Sequence, residues 1–229
     1  MWLIRNSIVI IFSFIIAILS LLIYPIDYRY RVSSRLLRFW ARVVLFILGV
    51  NVRVYGADAY DKQTGRIYIS NHASYLDIFV QIAYLPANVR MIYKKEINRI
   101  PLLGWAMLAT GFIPIDRSNA RKAMRSLESA TARISKGLSV VIYPEGTRTR
   151  DGSVGEFKRG MFVIAEKSGA EIVPVSLSGT FELMPRGTLK SGSGKVNMVI
   201  GKAVKYSEEK VFAGHLREII INNLKPVSV

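Results

Sequence analysis

Cysteine is absent from the 229 residues and histidine occurs only twice. The first absence removes disulfides, cysteine-based metal sites and a thiol nucleophile. The second leaves two side chains whose charge changes near neutral pH without special help. Acidic residues are scarce too: 16 Asp plus Glu stand against 32 Lys plus Arg, for a formal net charge of +16. Such a surplus favours an anionic partner, whether nucleic acid, anionic lipid or a phosphorylated substrate. Several class signatures are missing as well. There is no Gly-x-Ser-x-Gly elbow of the serine hydrolases. There is no phosphate loop, because Gly194-Lys195 is followed by Val196. No nucleic-acid recognition module or aromatic-basic platform occurs, so nucleic acid is not the expected partner. No His/Asp/Glu cluster has metal-ligand spacing, so no metal is expected.

What is present begins with an apolar N-terminus. Asn6–Tyr24 carries no charge, and a helix of that length can cross a hydrocarbon layer of roughly 30 Å. A signal peptide would have a shorter apolar centre and a small-x-small cleavage pattern, which does not follow here. After Pro25, residues 28–50 read as a second helix with Arg31, Arg35, Arg38 and Arg42 on one face and Leu36, Leu37, Phe39, Trp40, Val43 and Val44 on much of the rest. That is the pattern of a basic amphipathic helix lying in a membrane interface. Two geometries stand: a spanning first helix, or a helical hairpin in one leaflet. A buried core helix with a solvated charged face is the bland alternative. The membrane readings place residues 1–50 as an anchor and 51–229 as a domain at an anionic membrane surface on the cytoplasmic side.

From Asn51 the pattern turns to short β-like runs alternating with helical ones. Strands are expected at 51–55, 66–70, 89–93, 112–115, 138–143, 171–178 and 195–200, and helices at 119–136, 160–168 and 207–224. This alternation argues an α/β fold, a mixed sheet flanked by helices. Pro174 in Ile172-Val173-Pro174-Val175 suggests an edge or irregular strand position. Residues 185–195, rich in Gly, Ser and Lys, read as a mobile loop.

Ser70–Asp77 organises the candidate chemistry. His72 stands five positions before Asp77, about 140° away on a continuous helix. The two side chains can therefore meet only if His72 lies in a turn and Asp77 in the first turn of a helix. Ser74-Tyr75-Leu76-Asp77 fits such a start, since Ser-x-x-Asp before an apolar run is a capping pattern. Either Asp77 merely caps the helix, or it also holds His72 as a base for a hydroxyl proton. Tyr143–Arg150 follows an apolar strand, where ligands collect in α/β sheets. Its glutamate, glycine, threonine and arginines could grip a phosphate, or form a plain exposed turn. Ile100–Phe112 could wall a lipid groove or supply core. The other histidine, His215, sits among Phe212, Leu216 and Ile219 and reads as a surface or core-edge residue.

Taken together these stretches resemble one family. Asn71–Asp77 (NHASYLD) resembles the His-x4-Asp motif of the glycerolipid acyltransferases. Tyr143–Thr149 (YPEGTRT) resembles their Phe-Pro-Glu-Gly-Thr-Arg-Ser motif, with Tyr143 for Phe and Thr149 for Ser. Residues 94–105 (KKEINRIPLLGW) with 113–117 (IPIDR) resemble the second block, and 172–175 (IVPV) the fourth. The blocks occur in family order over residues 66–178, and the bacterial 1-acyl-sn-glycerol-3-phosphate acyltransferases are the nearest subgroup. That resemblance implies acyl transfer from acyl-CoA or acyl-carrier protein to the sn-2 hydroxyl of lysophosphatidic acid at the inner membrane, with no cofactor beyond the acyl donor. It implies His72 as general base with Asp77 behind it, and Glu145, Gly146, Thr147, Arg148, Arg117 and Lys95 at the glycerol-phosphate. Other acceptors within the family remain open: glycerol 3-phosphate, another lysophospholipid or an acylated amino-acid lipid. So does a different class, a non-enzymatic basic module bound to a membrane surface.

Overall fold

In the computed structural model, which describes residues 2–60, 65–158, 162–207 and 209–227, seven strands form one sheet in the order β1-β7-β6-β2-β5-β3-β4. The strands are β1 (Val50–Tyr55), β2 (Ile67–Ser70), β3 (Val89–Lys94), β4 (Ile113–Ile115), β5 (Ser139–Ile142), β6 (Ile172–Ser178) and β7 (Gly194–Ile200). Strands β6, β2, β5, β3 and β4 are parallel. β7 joins β6 antiparallel and carries β1 parallel to itself, so these two run the other way. The sheet is therefore mixed, as the alternation predicts. Each expected strand is present within one or two residues of its expected ends.

The middle strands are apolar on both faces because helices cover both faces. Tyr68, Val141 and Val173 face one core, together with Leu37, Ala41, Val44 and Leu45 of α2 (Arg31–Leu48) and Leu76 and Val80 of α3 (Leu76–Tyr84). Ile67, Ile69, Val140 and Ile142 face the other. Covering them are Leu127, Ala130 and Ile134 of α5 (Ala120–Ser135), Ile164 and Ala165 of α6 (Val163–Ser168), and Phe212, Leu216 and Ile220 of α8 (Glu209–Asn222). The expected start of α8 at Ser207-Glu208 falls partly on residue 208, outside the described residues, as do residues 160 and 161 of the expected sixth helix. Helix α4 (Leu103–Ala109) lies within the apolar stretch 100–112, and the short helix α7 (Thr180–Leu183) was not expected from the periodicity.

Helix α1 (Trp2–Ile23) lies along the molecule, with most of its large apolar side chains exposed. It is fastened along its length. Asn6 Nδ2 donates to the Leu189 carbonyl at 2.5 Å, Trp40 Nε1 to Ser13 Oγ at 2.9 Å, and Arg5 to the Ser193 hydroxyl. The Asp27 carboxylate then caps α2 by accepting from the Ser33 and Val32 N–H groups at 2.7 and 3.1 Å. Arg38, expected on the interfacial stripe, is half-buried instead. Its guanidinium donates to the carbonyls of Leu85 and Ala87 at 2.9 and 3.1 Å, where α3 ends. A cation belongs at a helix C-terminus, where the unsatisfied carbonyls concentrate.

Of the two positions expected for Pro174, the structure shows the irregular one and not the edge, because β6 lies between β2 and β7. Its missing N–H points toward β7 at an irregularity: Ile172 pairs with Val204, but Val175 pairs with Ile200. The ladder thus skips a residue beside Pro174, and no bond to β2 is lost. Residues 185–193 carry no regular element between α7 and β7, and hydrogen bonds tie their C-terminal end to the body. Gly192 N–H donates to the Leu183 carbonyl at 2.7 Å, Ser193 Oγ to the Leu48 carbonyl at 3.0 Å, and Ser191 Oγ to Asn6 Oδ1 at 3.1 Å.

Candidate active site

The motif-bearing loops all leave the C-terminal edge of the five parallel strands. β2 runs into Asn71–Tyr75, β5 into Tyr143–Arg150, β3 into Lys95 and β4 into Arg117. Convergence of strand ends is what brings residues tens of positions apart to one edge.

The chain bends between His72 and Asp77. Residues 71–74 are irregular, α3 begins at Leu76, and Asp77 occupies its first turn. His72 Nδ1 and Asp77 Oδ2 are 2.8 Å apart. The same oxygen accepts from the N–H groups of Ala73 and Ser74 at 2.7 and 2.8 Å. Ser74 Oγ in turn accepts from Leu76 N–H at 3.1 Å and donates to the Met184 carbonyl at 2.8 Å. Capping and holding the imidazole are thus done by one buried carboxylate. Because Asp77 has only oxygens to offer, Nδ1 carries the proton in neutral His72, and Nε2 keeps its lone pair.

The His72 backbone is clamped from the other loop. Its N–H donates to Glu145 Oε1 at 2.7 Å, and its carbonyl accepts from Thr149 N–H at 2.9 Å. The second Glu145 oxygen accepts from Gly155 N–H at 2.9 Å. Glu145, which the motif resemblance assigns to glycerol-phosphate, is 6% exposed with both oxygens committed to backbone. Burial pushes its carboxyl above the ordinary range, against the two N–H donors that pull it down. The Tyr143 ring stacks on the His72 imidazole, centroids 3.9 Å apart and planes 13° apart. Burial, then the Asp77 charge, pushes the phenol well above its ordinary range, so Tyr143 stays neutral. Gln81 Nε2 donates to its hydroxyl at 3.2 Å. Asn71 rivets the loop to β6: its Nδ2 donates to the Leu177 carbonyl and its Oδ1 accepts from Leu177 N–H, both at 2.9 Å.

Cationic side chains rim this centre. Arg117 Nη1 donates to the Gly146 carbonyl at 3.1 Å. Lys95 Nζ lies 3.3 Å from Asp116 Oδ2 and is largely exposed. Arg148 lies flat on the Tyr75 ring, 3.6 Å from its centroid, and its buried Nη1 has no partner among the described residues. Thr147 is exposed. Gly146 turns the loop at φ 73°, in the left-handed region that glycine accepts readily. His215 is exposed on α8.

Sequence reasoning did not find Asn71, Tyr143 or Gln81 as site residues. Asn71 and Tyr143 each adjoin a motif residue, but nothing in their spacing reveals the rivet or the stack. Gln81 offered one signal, a polar side chain inside the apolar run of α3.

Fold and site together define an α/β protein with a histidine–carboxylate pair at the C-terminal edge of parallel strands, beside a cationic rim and an apolar N-terminal helix. Residues 51–178 match the family model described as Acyltransferase, and the chain belongs to that family. It is 32% identical over 199 residues to the chloroplastic 1-acyl-sn-glycerol-3-phosphate acyltransferase of Arabidopsis thaliana, an alignment covering 86% of this chain and 55% of that protein. It is 33% identical over 156 residues to the 1-acyl-sn-glycerol-3-phosphate acyltransferase of Helicobacter pylori, covering 67% of this chain and 64% of that one. The chain thus spans somewhat over half the length of these relatives. The crystal structure of the 1-acyl-sn-glycerophosphate acyltransferase of Thermotoga maritima has the same fold, with TM-score 0.77 at 24% identity over 96% of this chain and 95% of that one.

Proposed function

We propose that the chain transfers a fatty acyl group from an acyl thioester, carried by coenzyme A or acyl-carrier protein, to the sn-2 hydroxyl of lysophosphatidic acid, giving phosphatidic acid. The observation that carries this reading is the 2.8 Å pairing of His72 Nδ1 with Asp77 Oδ2 beside the cationic rim. Relatives named for that activity support the choice of acceptor. His72 Nε2 takes the hydroxyl proton as the oxygen attacks the thioester carbon. The tetrahedral adduct collapses, the carbon–sulfur bond breaks, and the leaving sulfur takes the proton back from His72. Asp77 fixes the tautomer and stabilises the imidazolium. Arg148, Arg117, Lys95 and Thr147 bind the phosphate. Glu145 acts through His72, as a positioning residue, and Gly146 shapes the turn that lets Arg117 reach across.

In this reading the acceptor comes from a membrane. Helix α1 is 22 residues long with mean hydropathy 2.7, yet it is tied to the α/β body near its start and middle, and the turn after it caps α2. A helix held along its length against the body suits burial in one leaflet better than a crossing. The many cations that follow α1 favour the cytoplasmic side of the inner membrane.

The test is direct. Purified protein in detergent, given lysophosphatidic acid and acyl-CoA or acyl-carrier protein, should form phosphatidic acid. His72→Ala should lose at least about a thousandfold in kcat while remaining folded by circular dichroism. Full activity in His72→Ala would overturn the mechanism. Acylation of glycerol 3-phosphate in place of lysophosphatidic acid would overturn the acceptor.

A further inference from the structure

Beyond β3 the chain makes a 3-10 turn at Lys95–Arg99 and enters α4. Four large apolar side chains on this segment stand in water: Ile100, Leu103, Trp105 and Leu108, with relative exposures of 49, 47, 56 and 43%. A single exposed leucine needs no explanation, but a cluster within nine residues does. The cluster is not on a loose loop. Leu102 is held at φ 64°, a conformation a leucine rarely adopts. Gly104 packs so tightly that a Cβ there would lie 2.5 Å from Asn98 Cα. Tyr93 Oη donates to Asn98 Oδ1 at 2.5 Å and braces the turn. Ala106 and Ala109 face inward, which leaves Trp105 and Leu108, three positions apart, outward together.

We propose that this segment is a second lipid-contacting element, seated with α1 in an anionic bilayer. Two observations choose lipid as the occupant. First, α4 packs against α1, so its apolar face continues the exposed stripe of Ile8, Ile11, Phe14, Ile15, Ile18 and Leu22. Second, Lys94, Lys95 and Arg99 are exposed immediately before the apolar cluster, where they meet anionic headgroups. Tryptophan suits that boundary, with an apolar ring and a polar N–H. The arrangement has a consequence for the site. Lys95 and Arg117 come to headgroup level, so a lysolipid reaches His72 with its acyl chain still in the bilayer. The inference rests on the membrane attachment proposed above, and its test separates the two.

In the full chain with Trp2→Phe and Trp40→Phe, Trp105 is the sole tryptophan. Vesicles of phosphatidylglycerol and phosphatidylcholine should shift its emission to the blue, and brominated acyl chains should quench it. In the otherwise natural chain, Leu108→Glu should weaken vesicle partitioning by at least about tenfold with an unchanged melting temperature. Protein that sediments with vesicles while Trp105 stays unquenched and Leu108→Glu binds normally would overturn the role of α4 and leave α1 as sole anchor. Protein that does not sediment at all would overturn both. A concentration-dependent blue shift without lipid would overturn the inference in favour of self-association.

Discussion

His72 and the cations around it are built differently. The His72 N–H is held by Glu145, its carbonyl by Thr149, its Nδ1 by Asp77 and its ring face by Tyr143. Lys95, by contrast, is 57% exposed and pairs with Asp116, Thr147 is exposed, and Arg148 lies over an aromatic ring with one nitrogen unpartnered among the described residues. The difference follows from what each region is asked to do. Proton transfer requires a base within hydrogen-bond reach of one atom, so a small displacement is costly. A phosphate spreads its charge over several oxygens, and long flexible cations can find it from many geometries. On this view, damage to the clamp should fall on kcat and damage to the rim on KM.

Asp77→Asn should break the clamp most severely. An amide oxygen at the Oδ2 position could still accept from His72 Nδ1–H and from the Ala73 and Ser74 N–H groups, so what the substitution removes is the negative charge that stabilises the imidazolium. We expect kcat to fall by about 10³–10⁴, with KM for the acceptor changed less than about threefold. Steady-state kinetics on detergent-dispersed lysophosphatidic acid decide it. A loss confined to KM would place Asp77 in binding instead.

Glu145→Gln comes next. The glutamine oxygen can serve one of His72 N–H and Gly155 N–H, and its amide nitrogen opposes the other. A buried donor left without an acceptor costs about 1–3 kcal/mol, so the melting temperature should fall and kcat with it, by about ten- to a hundredfold. The same variant carries a pH signature. The Glu145 carboxyl is raised in the folded state above its ordinary 4.5, so the folded chain holds that proton more tightly than the unfolded chain. Its contribution is therefore fully present below about 4.5 and is lost as pH rises through the raised value. The natural chain should lose stability over that window relative to Glu145→Gln. Parallel slopes of melting temperature against pH for the two would remove the signature.

The clamp also marks the limit of what the sequence discloses. Strands were legible because burial on both faces leaves apolar runs such as Val140–Ile142, and α5 because Leu127, Ala130 and Ile134 recur at helical spacing. The bend between His72 and Asp77 followed from a five-residue interval that no straight helix could use. Glu145 was legible as a site residue but not in its task, because a carboxylate beside Gly-Thr-Arg reads as a ligand for substrate. Only the fold shows two backbone N–H groups occupying it. Pro174 was legible only as a choice between an edge and an irregular position. Proline excludes a regular central ladder, but the break in pairing opposite it lies in the stretch from Gly201 to Val204, far away in sequence. For α4 the sequence left two readings standing, a lipid groove and core, since apolar residues at that spacing suit both.

On the rim, Arg148→Ala should raise KM for lysophosphatidic acid about tenfold, the loss of one charge-assisted contact, and leave kcat and melting temperature nearly unchanged. Increasing salt should narrow the gap between variant and natural chain, because screening weakens the contact in both. A kcat loss without a KM change would mean that Arg148 belongs with the clamp, and the contrast between the two regions would blur at that residue.

The smallest expected effect, and the sharpest on how the clamp works, is that of Tyr143→Phe. Stacking depends on the ring, which the substitution keeps, whereas the hydroxyl accepts from Gln81. Gln81 Nε2 would lose its Tyr143 partner while its Oε1 is already unpartnered among the described residues, a stability cost of about 1 kcal/mol. Activity should change less than about threefold, because the imidazole plane is still fixed by the ring on one side and Asp77 at its edge. If kcat instead falls as far as in Glu145→Gln, the hydroxyl itself must influence His72, and the neutral phenol beside the base would be an electrostatic participant as well as a surface for packing.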